Sequence, residues 1–120
     1  MGKSVLVVDD CGTTRKLISF LLKGKGYSAV HASNGIEALE KLATVDVDII
    51  ITDLNMPQMD GLELIKNLRA DEKYKAMPII MVSTESAEMD KKMAKDLGAS
   101  TYIVKPVTQD RLVYEIEKLI

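Results

Sequence analysis

Apolar residues fall along this chain in two alternating patterns. Short unbroken runs, Val5-Leu6-Val7-Val8, Ile49-Ile50-Ile51-Thr52, Ile79-Ile80-Met81-Val82 and Tyr102-Ile103-Val104, lack the in-out alternation of a half-exposed strand. They predict strands covered on both faces. Ala29-Val30-His31-Ala32 is a shorter and weaker example. Between the runs, apolar residues recur at helical spacing: Leu17, Ile18, Phe20, Leu21 and Leu22, then Ile36, Ala38, Leu39 and Leu42, then Leu62, Leu64, Ile65 and Leu68. Met89, Met93, Ala94 and Leu97 mark a fourth helix, and Leu112, Val113, Ile116, Leu119 and Ile120 a fifth. Each set is expected on one helical face turned toward a sheet.

Polar residues punctuate the same division. Asn34 with Glu37, and Asp60 with Glu63, have capping spacing at the starts of helices two and three, while Gly26 and Gly98 sit where helices one and four should stop. Five β-α pairs in succession require crossover connections, and right-handed crossovers place helices on both faces of a parallel sheet. The expected fold class is α/β, a single doubly wound (βα)5 domain over residues 1–120.

Composition narrows the class of function. The 120 residues include no Trp, one Phe and seven Met, so the core is expected to be aliphatic with Met as filler. Sixteen basic against 18 acidic residues give a net charge of -2, which offers no drive toward nucleic acid or an anionic membrane surface. Cys11 is the single cysteine, so neither an intrachain disulfide nor a CxxC zinc site can form. No apolar run matches a signal-peptide core or a membrane span. A reducing, cytoplasmic location is the expectation.

Functional groups in open α/β sheets collect at the carboxyl ends of the strands. Here strand one is followed by Asp9-Asp10, strand three by Asp53-Leu54-Asn55-Met56-Pro57, strand four by Ser83-Thr84-Glu85 and strand five by Lys105-Pro106. A lone carboxylate after a strand is usually a loop or cap residue, but three on one edge need compensation. Like charges about 4 Å apart repel by roughly 4 kcal/mol at an effective dielectric near 20. Lys105 supplies one positive charge against three carboxylates. Hard oxygen ligands without His or Cys point to a divalent cation such as Mg²⁺. A dinucleotide site is excluded, because no GxGxxG follows strand one and an acidic pair would repel a pyrophosphate.

Val7-Val8-Asp9-Asp10, Thr52 through Gly61, Val82-Ser83 and Val104-Lys105-Pro106, each at a predicted strand end, together resemble a bacterial two-component response-regulator receiver domain over essentially the whole chain. The single-domain format resembles that of the chemotaxis regulators. The resemblance implies a flavodoxin-like strand order 2-1-3-4-5, with Asp53 accepting a phosphoryl group from a phosphohistidine of a sensor histidine kinase, a chemotaxis kinase in that reading. It implies Mg²⁺ held by the Asp10 and Asp53 side chains and the Asn55 backbone carbonyl, with Asp9 acting largely through water. Lys105 and Ser83 would meet the phosphoryl oxygens, and Tyr102 would turn inward as the Ser83 hydroxyl moves. Asn55 and Glu85 would flank the water that removes the phosphoryl group. Implied too are a cis Lys105-Pro106 bond, a monomer, a flagellar motor switch or other downstream protein as output partner, and a signalling module that catalyses its own phosphorylation and dephosphorylation rather than an enzyme in the usual sense.

Two other functions compete. A stand-alone phosphorelay receiver shares every motif. An aspartyl-nucleophile, Mg²⁺-dependent phosphohydrolase also places an Asp after a parallel strand, but Asp53-Leu54-Asn55 lacks the second carboxylate such enzymes use as general acid. Three positions depart from the commonest receiver pattern. Gly12 weakens the first helical turn by about 1 kcal/mol relative to Ala, Val107 stands where an aromatic is frequent, and Cys11 beside the acidic pair is expected to disfavour its thiolate.

Overall fold

The computed structural model describes residues 2–120. Five strands, β1 (Ser4–Val8), β2 (Ser28–Ala32), β3 (Ile49–Asp53), β4 (Ile79–Ser83) and β5 (Thr101–Val104), alternate with five helices, α1 (Gly12–Lys23), α2 (Gly35–Leu42), α3 (Gly61–Ala70), α4 (Glu88–Leu97) and α5 (Gln109–Leu119). All neighbouring strands are parallel and their order is β2-β1-β3-β4-β5. The α/β class and the 2-1-3-4-5 order both hold, giving a flavodoxin-like sheet wound on both sides. A short 3-10 turn, Glu72–Tyr74, follows α3 and was not legible in the periodicity.

The absence of alternation in the strands follows from two cores. Leu6, Val8, Ile50 and Met81 point to the side covered by α2, α3 and α4, where they meet Ala38, Leu64, Leu68 and Ala94. Val5, Val7, Ile49, Ile51, Ile80 and Val82 point to the other side and meet Ile18, Leu22, Leu112 and Ile116 of α1 and α5. Both faces of each central strand are therefore buried, and each fully buried Leu, Ile or Val contributes about 1.5–3 kcal/mol. The weaker β2 run is explained by its edge position: Val30 and His31 are only half-buried.

Capping follows the predicted spacing. The Asn34 side chain accepts from the Glu37 amide at 2.9 Å and Asp60 from the Glu63 amide at 2.9 Å. Gly98 ends α4 with φ of 120°, a conformation costly for any residue with a Cβ. The expected stop at Gly26 is shifted: α1 ends at Lys23 with Gly24 as its cap, and Gly26, at φ 87°, makes the turn into β2.

Several expected core residues are not in the core. Leu17 and Phe20 on α1 are 51% and 74% exposed, and Met89 and Met93 on α4 are 73% and 47% exposed. The reason is angular width: a helix laid on a sheet buries a stripe about two residues wide per turn, and α1 carries more apolar positions than that stripe holds. Met81, by contrast, is fully buried, as a filler should be.

Candidate functional site

Parallel strands end on one edge, and the register decides which side chains meet there. Val8 pairs with Thr52, Asp53 with Val82 and Ser83 with Val104, so Asp9, Asp53, Ser83 and Lys105 emerge within one residue step of a common row. The Lys105 ammonium donates to Asp9 Oδ2 at 3.2 Å and to Asp53 Oδ1 at 3.3 Å. Residues 96 and 52 positions apart in the chain are thus joined by one cation. The Lys105-Pro106 bond is cis. Carboxylate oxygens of Asp9, Asp10 and Asp53 all lie within 4.8 Å of one another.

The two acidic residues after β1 differ sharply. Asp9 is buried and its carboxylate is occupied twice, Oδ2 by Lys105 and Oδ1 by the Cys11 amide at 2.9 Å. Asp10 is exposed.

Asp53 sits where α3 can begin no closer. A Cβ on Gly61 would fall 2.2 Å from the Asp53 carbonyl oxygen, so only glycine permits the helix to start under the strand end. The Gly61 amide donates to the Leu54 carbonyl at 2.8 Å and closes the β3–α3 loop. Farther along that loop, Met59 N–H donates to Pro57 O across Gln58, whose φ is 66°, and the Met59 carbonyl accepts from the Gly35 amide at the start of α2. The loop carrying Asp53 and Asn55 is thereby tied to a second helix. Asn55 itself is exposed.

Burial and the neighbouring Asp9 carboxylate hold the Asp53 carboxyl above the ordinary aspartate range, against the pull of Lys105. Burial alone would lower Lys105, but Asp53 and Asp9 outweigh it and keep the ammonium above its usual value. The cluster is short of positive charge, and its donors are all hard oxygens, so the residues present fit Mg²⁺. A stability consequence follows with a definite sign. A carboxyl raised in the fold contributes most below the unfolded value and loses that contribution as pH rises through the folded one. At neutral pH, ionised Asp53 is a cost. Asp53→Asn should raise the metal-free melting temperature at pH 7 by roughly 4 °C, equivalent to about 1 kcal/mol, and the gain should vanish below about pH 4. Differential scanning calorimetry of the parent should also show Mg²⁺ raising the transition over chelator. A flat response in both comparisons would show that the carboxylates do not form a cation site.

On the β4 side, Ser83 is buried and its hydroxyl accepts from the Glu85 amide at 3.0 Å. The Glu85 carbonyl in turn accepts from the Tyr102 hydroxyl at 2.7 Å. One peptide segment therefore links Ser83 to Tyr102. The expected inward turn of Tyr102 needs correcting: its ring already lies inside, 8% exposed, because the Glu85 carbonyl provides the partner that a buried phenol requires. Glu85 is exposed, like Asn55.

The expectation for Cys11 is also overturned. Hydrogen bonds from the Thr14 side chain and backbone at the start of α1 hold the exposed Cys11 thiol below its ordinary value, outweighing the Asp9 charge. Sequence reasoning passed over Arg15, whose guanidinium donates to the Asp9 backbone carbonyl. A basic residue one turn into α1 gave no cue, since long cations on exposed helix faces are common.

Two concave surfaces flank the site. A cleft of about 380 Å³ between α1 and the β5–α5 loop is lined by Thr14, Leu17, Ile18, Thr84, Lys105, Pro106 and Val107. A second, of about 580 Å³, lies across α4, β5 and α5, with Lys91, Lys92, Lys95, Arg111, Glu88 and Asp96 around Tyr102 and Val104. None of the helices among the described residues is long and apolar enough to cross a membrane.

Comparison with known proteins agrees with this geometry. Residues 5–117 match the family described as the response regulator receiver domain. The chain is 45% identical over 115 residues to the chemotaxis protein CheY1 of Helicobacter pylori, covering 94% of this chain and 93% of that one. It is 44% identical over 118 residues to a chemotaxis protein CheY homolog of Campylobacter jejuni, covering 97% and 91%. Among solved structures, the chemotaxis protein CheY4 of Vibrio cholerae superposes with a TM-score of 0.93 at 36% identity, covering all of both chains. A CheY-like receiver domain protein of Methanospirillum hungatei does so with a TM-score of 0.89 at 28% identity, covering 99% and 94%. With a match over nearly the whole chain, the expected fold and an acidic pocket bridged by one lysine, this chain belongs to the response regulator receiver domain family.

Proposed function

We propose that the protein is a phosphorylation-activated switch in chemotaxis, receiving a phosphoryl group on Asp53 from a histidine kinase and presenting a changed surface to a downstream protein. The observation that carries this reading is the single ammonium of Lys105 placed 3.2 Å and 3.3 Å from Asp9 and Asp53, at the strand end that carries the half-buried Asp53 carboxylate. An Asp53 oxygen attacks phosphorus, the P–N bond to the donor imidazole breaks, and its electron pair returns to the ring nitrogen. Phosphoryl transfer needs chiefly positioning and charge neutralisation. Lys105 neutralises an oxygen of the transferring group, and the Ser83 hydroxyl donates to another. The Asp10 and Asp53 carboxylates and the Asn55 backbone carbonyl would hold Mg²⁺, with Asp9 largely through water. When bound, Mg²⁺ supplies further neutralisation of the phosphoryl charge. In this reading the protein works in the cytoplasm as a monomer, without nucleic acid or membrane, and its output partner is the flagellar motor switch or another downstream protein.

Turnover separates this from a phosphohydrolase. With acetyl phosphate and Mg²⁺, intact-mass spectra should show one phosphoryl group accumulating per chain and then declining once the donor is removed. Steady hydrolysis of the donor with no modified chain detectable would replace the switch by an enzyme.

Signal lifetime depends on the water that attacks the phosphorus. Side chains beside that approach affect decay more than those binding phosphate in both ground and transition states. Asn55 and Glu85 hold those positions in the proposed site. Asn55→Lys or Glu85→Leu should slow phosphate loss severalfold or more while leaving Mg²⁺-dependent uptake measurable, because each removes a group beside the path of the attacking water. Decay at the parental rate in both variants would remove them from the mechanism.

Output follows from the Ser83–Glu85–Tyr102 link. A phosphoryl group adds charge and acceptor oxygens. Redirecting the Ser83 hydroxyl toward them loosens the Glu85 amide, and with it the carbonyl that holds Tyr102. On adding beryllofluoride and Mg²⁺, amide shifts are expected to extend from Asp53 to Lys91, Lys95, Tyr102 and Val104. Shifts confined to the Asp53 pocket would break the proposed coupling.

A further inference from the structure

The chain must turn from β1 into α1 within three residues, and the polar groups of that corner are held from four directions. The Asp9 amide donates to the Ala32 carbonyl of β2 at 3.1 Å, and Asp9 Oδ1 accepts from the Cys11 amide at 2.9 Å. Lys105 holds Asp9 Oδ2, and Arg15 donates to the Asp9 carbonyl oxygen. That carbonyl belongs to the peptide unit joining Asp9 to Asp10. With the Cys11 amide held by Asp9 Oδ1 as well, both peptide units flanking the Asp10 Cα are fixed, and the direction in which its side chain leaves the backbone follows. Asp10 is exposed and lacks the burial that confines Asp9. Gly12 lies against the guanidinium without constraining it: a Cβ there would lie 3.7 Å from Arg15 Nη2, an ordinary van der Waals contact.

We propose that Arg15 is a positioning residue of the cation site: its guanidinium, bonded to the Asp9 carbonyl, sets the Asp9–Asp10 peptide plane and so aims the Asp10 carboxylate at the oxygens of Asp53. The proposal rests on the reading of the acidic pocket as a Mg²⁺ site. It has a distinctive sign. As a bare positive charge beside three carboxylates, Arg15 opposes a cation, so its removal should tighten Mg²⁺ binding. As a positioning group, its removal should weaken binding, since partners that orient a metal ligand affect affinity even without touching the metal. Charge and position therefore predict opposite results.

The variant Arg15→Met keeps the length and apolar stem but removes charge and donors. Mg²⁺ titration followed by amide shifts should show affinity roughly tenfold weaker than the parent, with faster hydrogen exchange at the Cys11 amide. In an Asp10→Ala background the same substitution should no longer weaken binding, because the ligand it aims is gone. If Arg15→Met does not fold, Arg15→Leu carries the same expectation. Binding as tight as the parent or tighter in the folded variant, or equal weakening with Asp10 absent, would overturn the positioning role. The parent's own titration runs alongside: a parent that binds no Mg²⁺ removes the cation site itself, whereas a parent that binds alongside an unaffected variant removes Arg15 alone.

Discussion

Replacing Asp53 by Ala should abolish Mg²⁺-dependent phosphorylation by acetyl phosphate, with intact-mass spectra showing the unmodified chain alone. The expectation is total loss because no other carboxylate shares its placement. Asp9 is closer to full burial and both of its oxygens are engaged, by Lys105 and the Cys11 amide. Asp10 is exposed and carries no link to Lys105 comparable to the 3.3 Å contact of Asp53. A raised carboxyl is moreover a more basic oxygen than an ordinary aspartate, and burial and Asp9 both raise Asp53. The substitution leaves the fold standing, since it removes a charge that the pocket tolerates poorly. Phosphorylation of the variant at the parental level would assign the acceptor elsewhere.

The second large effect is expected at Lys105. Lys105→Met should slow phosphorylation of Asp53 by about 10²–10³-fold, the loss associated with removing one preorganised group aimed at transition-state charge. It should also destabilise the metal-free protein, because Asp9 and Asp53 lose the cation they share. Breaking a fully buried pair typically costs about 3–5 kcal/mol. The Lys105 side chain is 19% exposed, which lowers the expectation to about 2 kcal/mol. The two losses respond differently to Mg²⁺. Excess cation should recover part of the stability by partly neutralising the cluster, while the rate deficit persists because the ammonium is missing from the transferring oxygen. Urea unfolding with and without Mg²⁺, beside single-turnover phosphorylation, reads both. A variant as stable and as fast as the parent would reduce Lys105 to a solvated loop residue.

The one residue that connects these results to the proposed positioning role of Arg15 is Asp9. It accepts from Lys105, the Cys11 amide and Arg15, and its amide reaches Ala32. Its role is structural as much as electrostatic, and this was the part of the site least visible in the chain. Spacing alone leaves Asp9-Asp10 two adjacent charges, whereas the fold buries one and exposes the other.

What could be read without coordinates depended on local and periodic physics. A strand covered on both faces has no polar side, so the unbroken runs at Val5–Val8, Ile49–Thr52 and Ile79–Val82 announced central parallel strands, and the dyad of cores confirms why. Caps at Asn34 and Asp60 act within three residues and were legible for the same reason. The convergence of the carboxylates and Lys105 was legible because parallel strands deliver their carboxyl ends to one edge, wherever they lie in the chain. Burial of the surplus apolar residues was not: Leu17, Phe20, Met89 and Met93 share helical periodicity with the core but lie outside the stripe that the sheet covers. Nor were the particular side-chain bonds, Lys105 to Asp9 and Tyr102 to the Glu85 carbonyl between distant segments and Arg15 to the Asp9 carbonyl within one corner. Spacing along a chain determines which face a residue occupies, whereas a hydrogen bond of about 3 Å is decided by the packing that brings two elements to the same point.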